Sequence, residues 1–121
     1  NMHPLMTDSN INIKVHLDAK KIPQKNTWSA SESTAANPQE AKAMVLALWD
    51  AIDKSALRIY LWTRDMMIDV MADFYFQVFT TMADTFQRAT KNNSLSDDIK
   101  VFARDFHKKF VEMEREKNKA V

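Results

Sequence analysis

Three aspartates spaced four residues apart, Asp65, Asp69 and Asp73, are the densest group of chemistry-bearing side chains in the chain. On a helix that spacing places all three carboxylates on one face. They then form either an acidic ridge for a basic partner or a solvated face whose charge suits the start of a helix. A hard cation needs more converging oxygens than one exposed ridge offers, so no metal site is expected. The histidines His3, His16 and His107 fall in a tail, a strand and the final helix, without the H-x-x-x-H spacing that zinc requires. Nothing beside them suggests a nucleophile and its base. No catalytic residue and no cofactor site follow from these residues.

Composition removes most of the remaining chemistry. The chain of 121 residues has no cysteine and no glycine, where about eight glycines are usual at this length. Without cysteine there is no disulfide, thiolate metal site or cysteine nucleophile. Without glycine the P-loop, the dinucleotide fingerprint, the hydrolase elbow and the usual calcium loop are all missing, since each needs glycine's backbone freedom. Seventeen Lys and Arg against sixteen Asp and Glu leave a net charge of +1, which argues against nucleic acid as a partner. No apolar run is long enough to span a bilayer. The segment from Asn1 to Met6 is too short and polar for a signal peptide, so a cytoplasmic protein is the expectation.

The elements that must carry these residues read clearly at both ends. Ile11, Ile13, Val15 and Leu17 alternate with Asn12, Lys14 and His16, the period of a half-buried antiparallel strand. A polar turn at Asp18 to Lys21 then leads into a second strand from Ile22-Pro23 to about Ala30, anchored by Trp28 and joined to the first as a hairpin. Residues 29–40 are small and polar and predict a loop, mobile in its middle. Over Ala41 to Asp50 helix and strand compete. Asn37, Pro38 and Glu40 suit a helix start, whereas the apolar run Ala43 to Trp49 suits a strand, and a helical first turn running into a strand is the expectation.

Ala56 to Thr63 is a strand with Leu57, Ile59 and Leu61 on one face and Arg58, Tyr60 and Trp62 on the other. Two aromatics are more than a solvated face needs. Thr63 is expected to cap a long helix starting at Arg64 and running to about Ala89, with Lys91-Asn92-Asn93 ending it. A last helix starts at Ser94 or Ser96 with the stripe Leu95, Ile99, Phe102, Phe106, Phe110 and Met113, and its charged end from Glu112 to Lys119 should fray. The result is an α+β protein: a flexible tail at 1–9, then a single domain over 10–121. That domain has an antiparallel sheet of three or four strands, hairpin first, packed by two C-terminal helices.

The long helix carries Met66, Met67, Met71 and Met82 among eight methionines in the chain, with Phe74, Tyr75, Phe76 and Phe79 between them. An apolar arc this wide must be buried by more than one neighbour, so self-association or partner binding is expected.

Several blocks together resemble the gliding-motility-associated GldC family of Bacteroidetes. They are Ile11 to Asp18 with Ile22-Pro23 and Trp28, Glu40 to Met44, Leu46 to Asp50, Leu57 to Met66, and Met82 to Thr90. The runs Leu61-Trp62-Thr63-Arg64-Asp65-Met66 and Met82 to Thr90 are the most specific. Lys91 stands where the family pattern suggests glycine, and Tyr60 where an acidic residue is common. The resemblance implies a small soluble accessory protein of gliding motility, working beside a dedicated secretion system, with no enzyme activity and no catalytic residues to carry over. In element order the chain also resembles SecB-type export chaperones, an analogy of fold alone.

The expected function is therefore non-enzymatic binding of a motility or secretion protein by a self-associating chain. Arg58, Tyr60 and Trp62 with the Asp65, Asp69 and Asp73 ridge are the expected contact residues, because aromatics and arginine dominate interface energetics. The competing expectation is a holdase-like chaperone that receives clients on a flexible Met- and Phe-rich surface. An enzyme would need a convergent polar cluster that the sequence does not show.

Overall fold

A computed structural model describes residues 8–31 and 37–119. Most of the expected N-terminal tail, including His3, and the middle of the 29–40 loop lie outside the described residues. The class is α+β, with the hairpin first and two C-terminal helices. In chain order the elements are β1 (Ile11–Leu17), β2 (Pro23–Ala30), β3 (Gln39–Ala41), β4 (Ala43–Asp50), β5 (Ser55–Trp62), α1 (Ile68–Thr90) and α2 (Asn93–Lys119). They fall into two compact units that divide between Met66 and Met67.

In the first unit the strands form two antiparallel sheets, β1-β2-β3 and β4-β5. β1 and β2 form the expected hairpin. Their register, Ile13 opposite Trp28 and Val15 opposite Asn26, gathers Ile11, Ile13, Val15, Leu17 and Trp28 on one face. The expected helical turn before Ala43 is absent. Gln39, Glu40 and Ala41 instead pair with Trp28, Thr27 and Asn26. Backbone pairing with an existing strand outweighs the local helix preference of Glu40 and Ala41. Only Lys42 separates β3 from β4, and its carbonyl accepts a 2.8 Å hydrogen bond from the Thr63 N–H at the end of β5. Among the described residues each sheet keeps two open edges, at β1 and β3 in one and at β4 and β5 in the other.

A chain without glycine must turn by other means. Lys21, Lys54 and Lys91 all adopt left-handed backbone, with φ of 60°, 52° and 60°. Each sits in a tight connection with an Asp or Asn side chain close by. The Asp18 carboxylate accepts the N–H groups of Lys20 (2.8 Å) and Ile22 (2.9 Å) between β1 and β2. Asp50 does the same for Ile52 (2.8 Å) and Asp53 (3.0 Å) between β4 and β5. Asn92 accepts the N–H of Leu95 at 3.0 Å to cap α2. Short polar side chains closing such local rings is the usual chemistry of turns and caps.

The second unit is the helical hairpin α1–α2. Its start corrects the sequence expectation. Thr63 caps nothing: it is buried, and its hydroxyl donates to Asp65 at 2.6 Å. Residues 64–65 form a turn, and α1 begins at Ile68 with Met67 as its uncapped N-terminal residue. At the other end Lys91, not an asparagine, takes the left-handed position, and its N–H bonds the Gln87 carbonyl at 2.7 Å. The charged end of α2 is helical through Lys119.

The helices approach closely because small residues line their seam. Ala72, Ala83, Ser96 and Ala103 are buried, and the Ser96 hydroxyl donates to the Ala83 carbonyl at 2.8 Å. Phe79 adds edge-on contacts to Phe102 and Phe106, with ring centroids 5.5 and 5.6 Å apart. The seam is thus rotated from the predicted α2 stripe, since Leu95, Phe102 and Met113 at its flank remain exposed.

Candidate functional site

The β4–β5 hairpin brings the three sequence-predicted sheet residues to one face. In an antiparallel pair, directly opposed residues share a face. The observed register sets Ala43 opposite Trp62, Val45 opposite Tyr60, Ala47 opposite Arg58 and Trp49 opposite Ala56. Trp62, Arg58 and Trp49 therefore each stand across from an alanine, which leaves room for the larger side chain. Tyr60 and Val45 lie between them. Trp49, Tyr60 and Trp62 are 69, 51 and 54% exposed. Arg58 is the one charged residue in this set.

Trp49 was missing from the predicted contact set. Its place depends on parity along β4, which the unresolved choice between helix and strand concealed. Once Ala43 to Asp50 is a strand, the alternation Ala43, Val45, Ala47, Trp49 aligns it with Tyr60 and Trp62. The opposite face carries Met44 with Leu61, Leu46 with Ile59 and Leu48 with Leu57. Both faces of the hairpin are apolar, and Leu48 and Leu57 at its turn end are exposed.

The three aspartates do not form one helical ridge, because Asp65 precedes α1. In the first unit its carboxylate accepts Lys42 Nζ at 2.5 Å and the Thr63 hydroxyl at 2.6 Å. Lys42 also reaches Glu40 at 3.4 Å. The hydrogen bond from Lys42, followed by that from Thr63, holds the Asp65 carboxyl below its usual range, and the same bond raises the Lys42 ammonium. Asp69 and Asp73 do lie four apart on α1. Asp69 accepts the Val70 N–H at 2.9 Å. Asp73 lies 3.0 Å from His107 Nε2, whose ring packs against Phe76 with centroids 5.0 Å apart.

The other described histidine, His16, contacts the Thr27 hydroxyl at 3.1 Å across β1 and β2. Among the described residues no group of three or more His, Asp or Glu side chains is arranged to hold a metal ion. No helix among them is long and apolar enough to cross a membrane. What the arrangement offers chemically is an apolar aromatic surface with one guanidinium.

Compared with known proteins, residues 23–112 match the family model described as gliding motility-associated protein GldC-like. The matched stretch starts at β2 and ends within α2, so it includes the whole β4–β5 hairpin. No curated protein and no solved structure matches the chain.

Proposed function

The chain belongs to the gliding motility-associated GldC-like family, and from that premise we propose that it is a non-enzymatic accessory protein. It acts in the cytoplasm by binding a component of the motility machinery or its secretion system. The aromatic face of β4–β5 is the contact surface. The observation that supports this reading is the register that collects Trp49, Arg58, Tyr60 and Trp62 on one exposed face. Tryptophan, tyrosine and arginine are the side chains that most often dominate binding energy, since they combine large apolar area with a polar handle. Asp69 and Asp73 are a secondary contact for a basic partner. Asp65, engaged by Lys42, sets the turn into α1 and contributes charge to the same partner.

A second reading, the holdase-like chaperone, draws on a different surface. Met67, Met82, Phe102 and Met113 of the helical hairpin are exposed, and flexible methionine-rich surfaces accept varied clients.

Affinity isolation of a tagged, crosslinked copy from its native cells, read by quantitative mass spectrometry, separates the two. The accessory reading expects one or two motility or secretion proteins at fixed stoichiometry. It expects Tyr60→Ala with Trp62→Ala to reduce their recovery at least tenfold, the loss of roughly 1.4 kcal/mol or more that truncating anchor residues causes. Charge reversal at Asp69 and Asp73 should weaken recovery less. A broad set of substoichiometric clients, retained by the Tyr60 and Trp62 variant, would favour the chaperone and remove the hairpin face from consideration.

A further inference from the structure

Among the strands with an open edge, β1 is guarded and β5 is not. β1 carries Lys14 and His16 and its register slips between His16 and Leu17, the charged and irregular features that discourage edge pairing. β5 pairs with β4 over its full length without a bulge. It has no proline, and its one charge is Arg58. Among the described residues its other edge meets no strand.

The phase of that open edge follows from one bond. Thr63 N–H donates to the Lys42 carbonyl, so Thr63 and Lys42 are a hydrogen-bonded pair in the β4–β5 ladder. Bonded pairs alternate along an antiparallel ladder. Leu61, Ile59, Leu57 and Ser55 therefore bond toward β4, while Ala56, Arg58, Tyr60 and Trp62 direct their N–H and C=O groups outward.

We propose that this edge pairs with the same edge of a second copy of the chain, antiparallel, about a two-fold axis at Ile59. Opposed residues in an antiparallel pair share a face, so a symmetric pairing must centre on a residue. Centring on Ile59 sets Ala56 against Trp62 and Arg58 against Tyr60, and matches all the outward-facing residues among themselves. The side chains agree with the backbone. Each Arg58 stands across from the aromatic ring of Tyr60 in the other copy, a cation–π pairing made twice. On the opposite face Ile59 meets Ile59, and Leu57 meets Leu61. Centring on Arg58 would oppose two guanidinium groups, which is destabilising, and would draw in Lys54 from the turn. Centring on Tyr60 would leave Ala56 opposite Arg64, beyond the strand. The Ile59 register alone is complementary to itself throughout, as an isologous two-fold interface requires.

The proposal stands on the strand edge and does not depend on the partner-binding reading. Its consequence for that reading is a doubled aromatic face, continuous across two copies.

The chain contains no cysteine, so a single introduced thiol reports the register. Ile59 faces its own copy in a non-bonded pair, where Cα atoms are about 4.5 Å apart, within disulfide reach. Ile59→Cys is expected to form a disulfide-linked dimer under mild oxidation, while Leu57→Cys, displaced along the strand from its counterpart, is not. Without oxidation the wild-type chain should show twice the monomer mass by light scattering. Arg58→Pro should return it to monomer while circular dichroism keeps the strand signal, because the lost N–H points away from β4. A wild-type monomer at the highest soluble concentration would overturn the proposal. So would a dimer unaffected by Arg58→Pro, or crosslinking at Arg58→Cys or Tyr60→Cys in place of Ile59→Cys.

Discussion

Lys42 Nζ lies 2.5 Å from Asp65 Oδ2, joining the single residue between β3 and β4 to the turn that follows β5. The pair is solvent-exposed, so it acts as a clasp on local geometry more than as a source of stability.

Its signature is a pH profile with two limbs. Asp65, Asp18 and Asp50 have carboxyls held below their ordinary value of 3.8 by, respectively, the Lys42 ammonium, the Ile22 N–H and the Asp53 N–H. A carboxyl depressed in the folded state stabilises the fold above its unfolded value, and that contribution is lost as pH falls through the depressed value. Lys42 is raised above 10.5 by the Asp65 carboxylate. Its contribution is therefore present below 10.5 and lost as pH rises through the raised value. Thermal stability should fall as pH drops through the depressed carboxyl values and as it rises through the raised Lys42 value. Asp65→Asn should shrink both limbs, while Asp18→Asn should shrink only the acid one. An alkaline limb untouched by Asp65→Asn would show that Lys42 is not held by this carboxylate.

Lys91 occupies left-handed backbone at φ 60° between α1 and α2. That conformation costs a side-chain-bearing residue roughly 1–2 kcal/mol, and glycine adopts it without penalty. Lys91→Gly is expected to stabilise the helical hairpin by about 1 kcal/mol, after the opposing gain in unfolded-chain entropy. Denaturant unfolding checks this. Lys91→Ala, which keeps the Cβ, should give no comparable gain.

Asn26 on β2 is 1% exposed, and neither its Nδ2 nor its Oδ1 has a hydrogen-bond partner. It stands opposite Val15 on one side and Ala41 on the other. Burying an unpaired amide costs about 1–3 kcal/mol. Asn26→Leu, with the same branching and without that penalty, should raise the unfolding midpoint in denaturant. A lowered midpoint would mean that the amide is paired in solution.

The chain's local chemistry determined much of this molecule. Strict alternation from Ile11 to Leu17 and from Leu57 to Trp62 identified two strands, and apolar periodicity identified two helices. The expected partner residues Arg58, Tyr60 and Trp62 were legible as one strand face for the same reason, since parity within a strand needs no knowledge of its neighbour. Tertiary pairing decided the rest. Residues 39–41 became a strand because β2 offers them a ladder, which no local helix cap can match. Trp49 joined Tyr60 and Trp62 because β4 meets β5 in one register. Asp65 left the helix because the buried Thr63 and the cation of Lys42 hold it in a turn, shifting the start of α1 to Ile68. Periodicity reports which face a residue takes within its own element. Which element forms at an ambiguous stretch, and what its residues stand opposite, depends on partners distant in sequence and close only after folding.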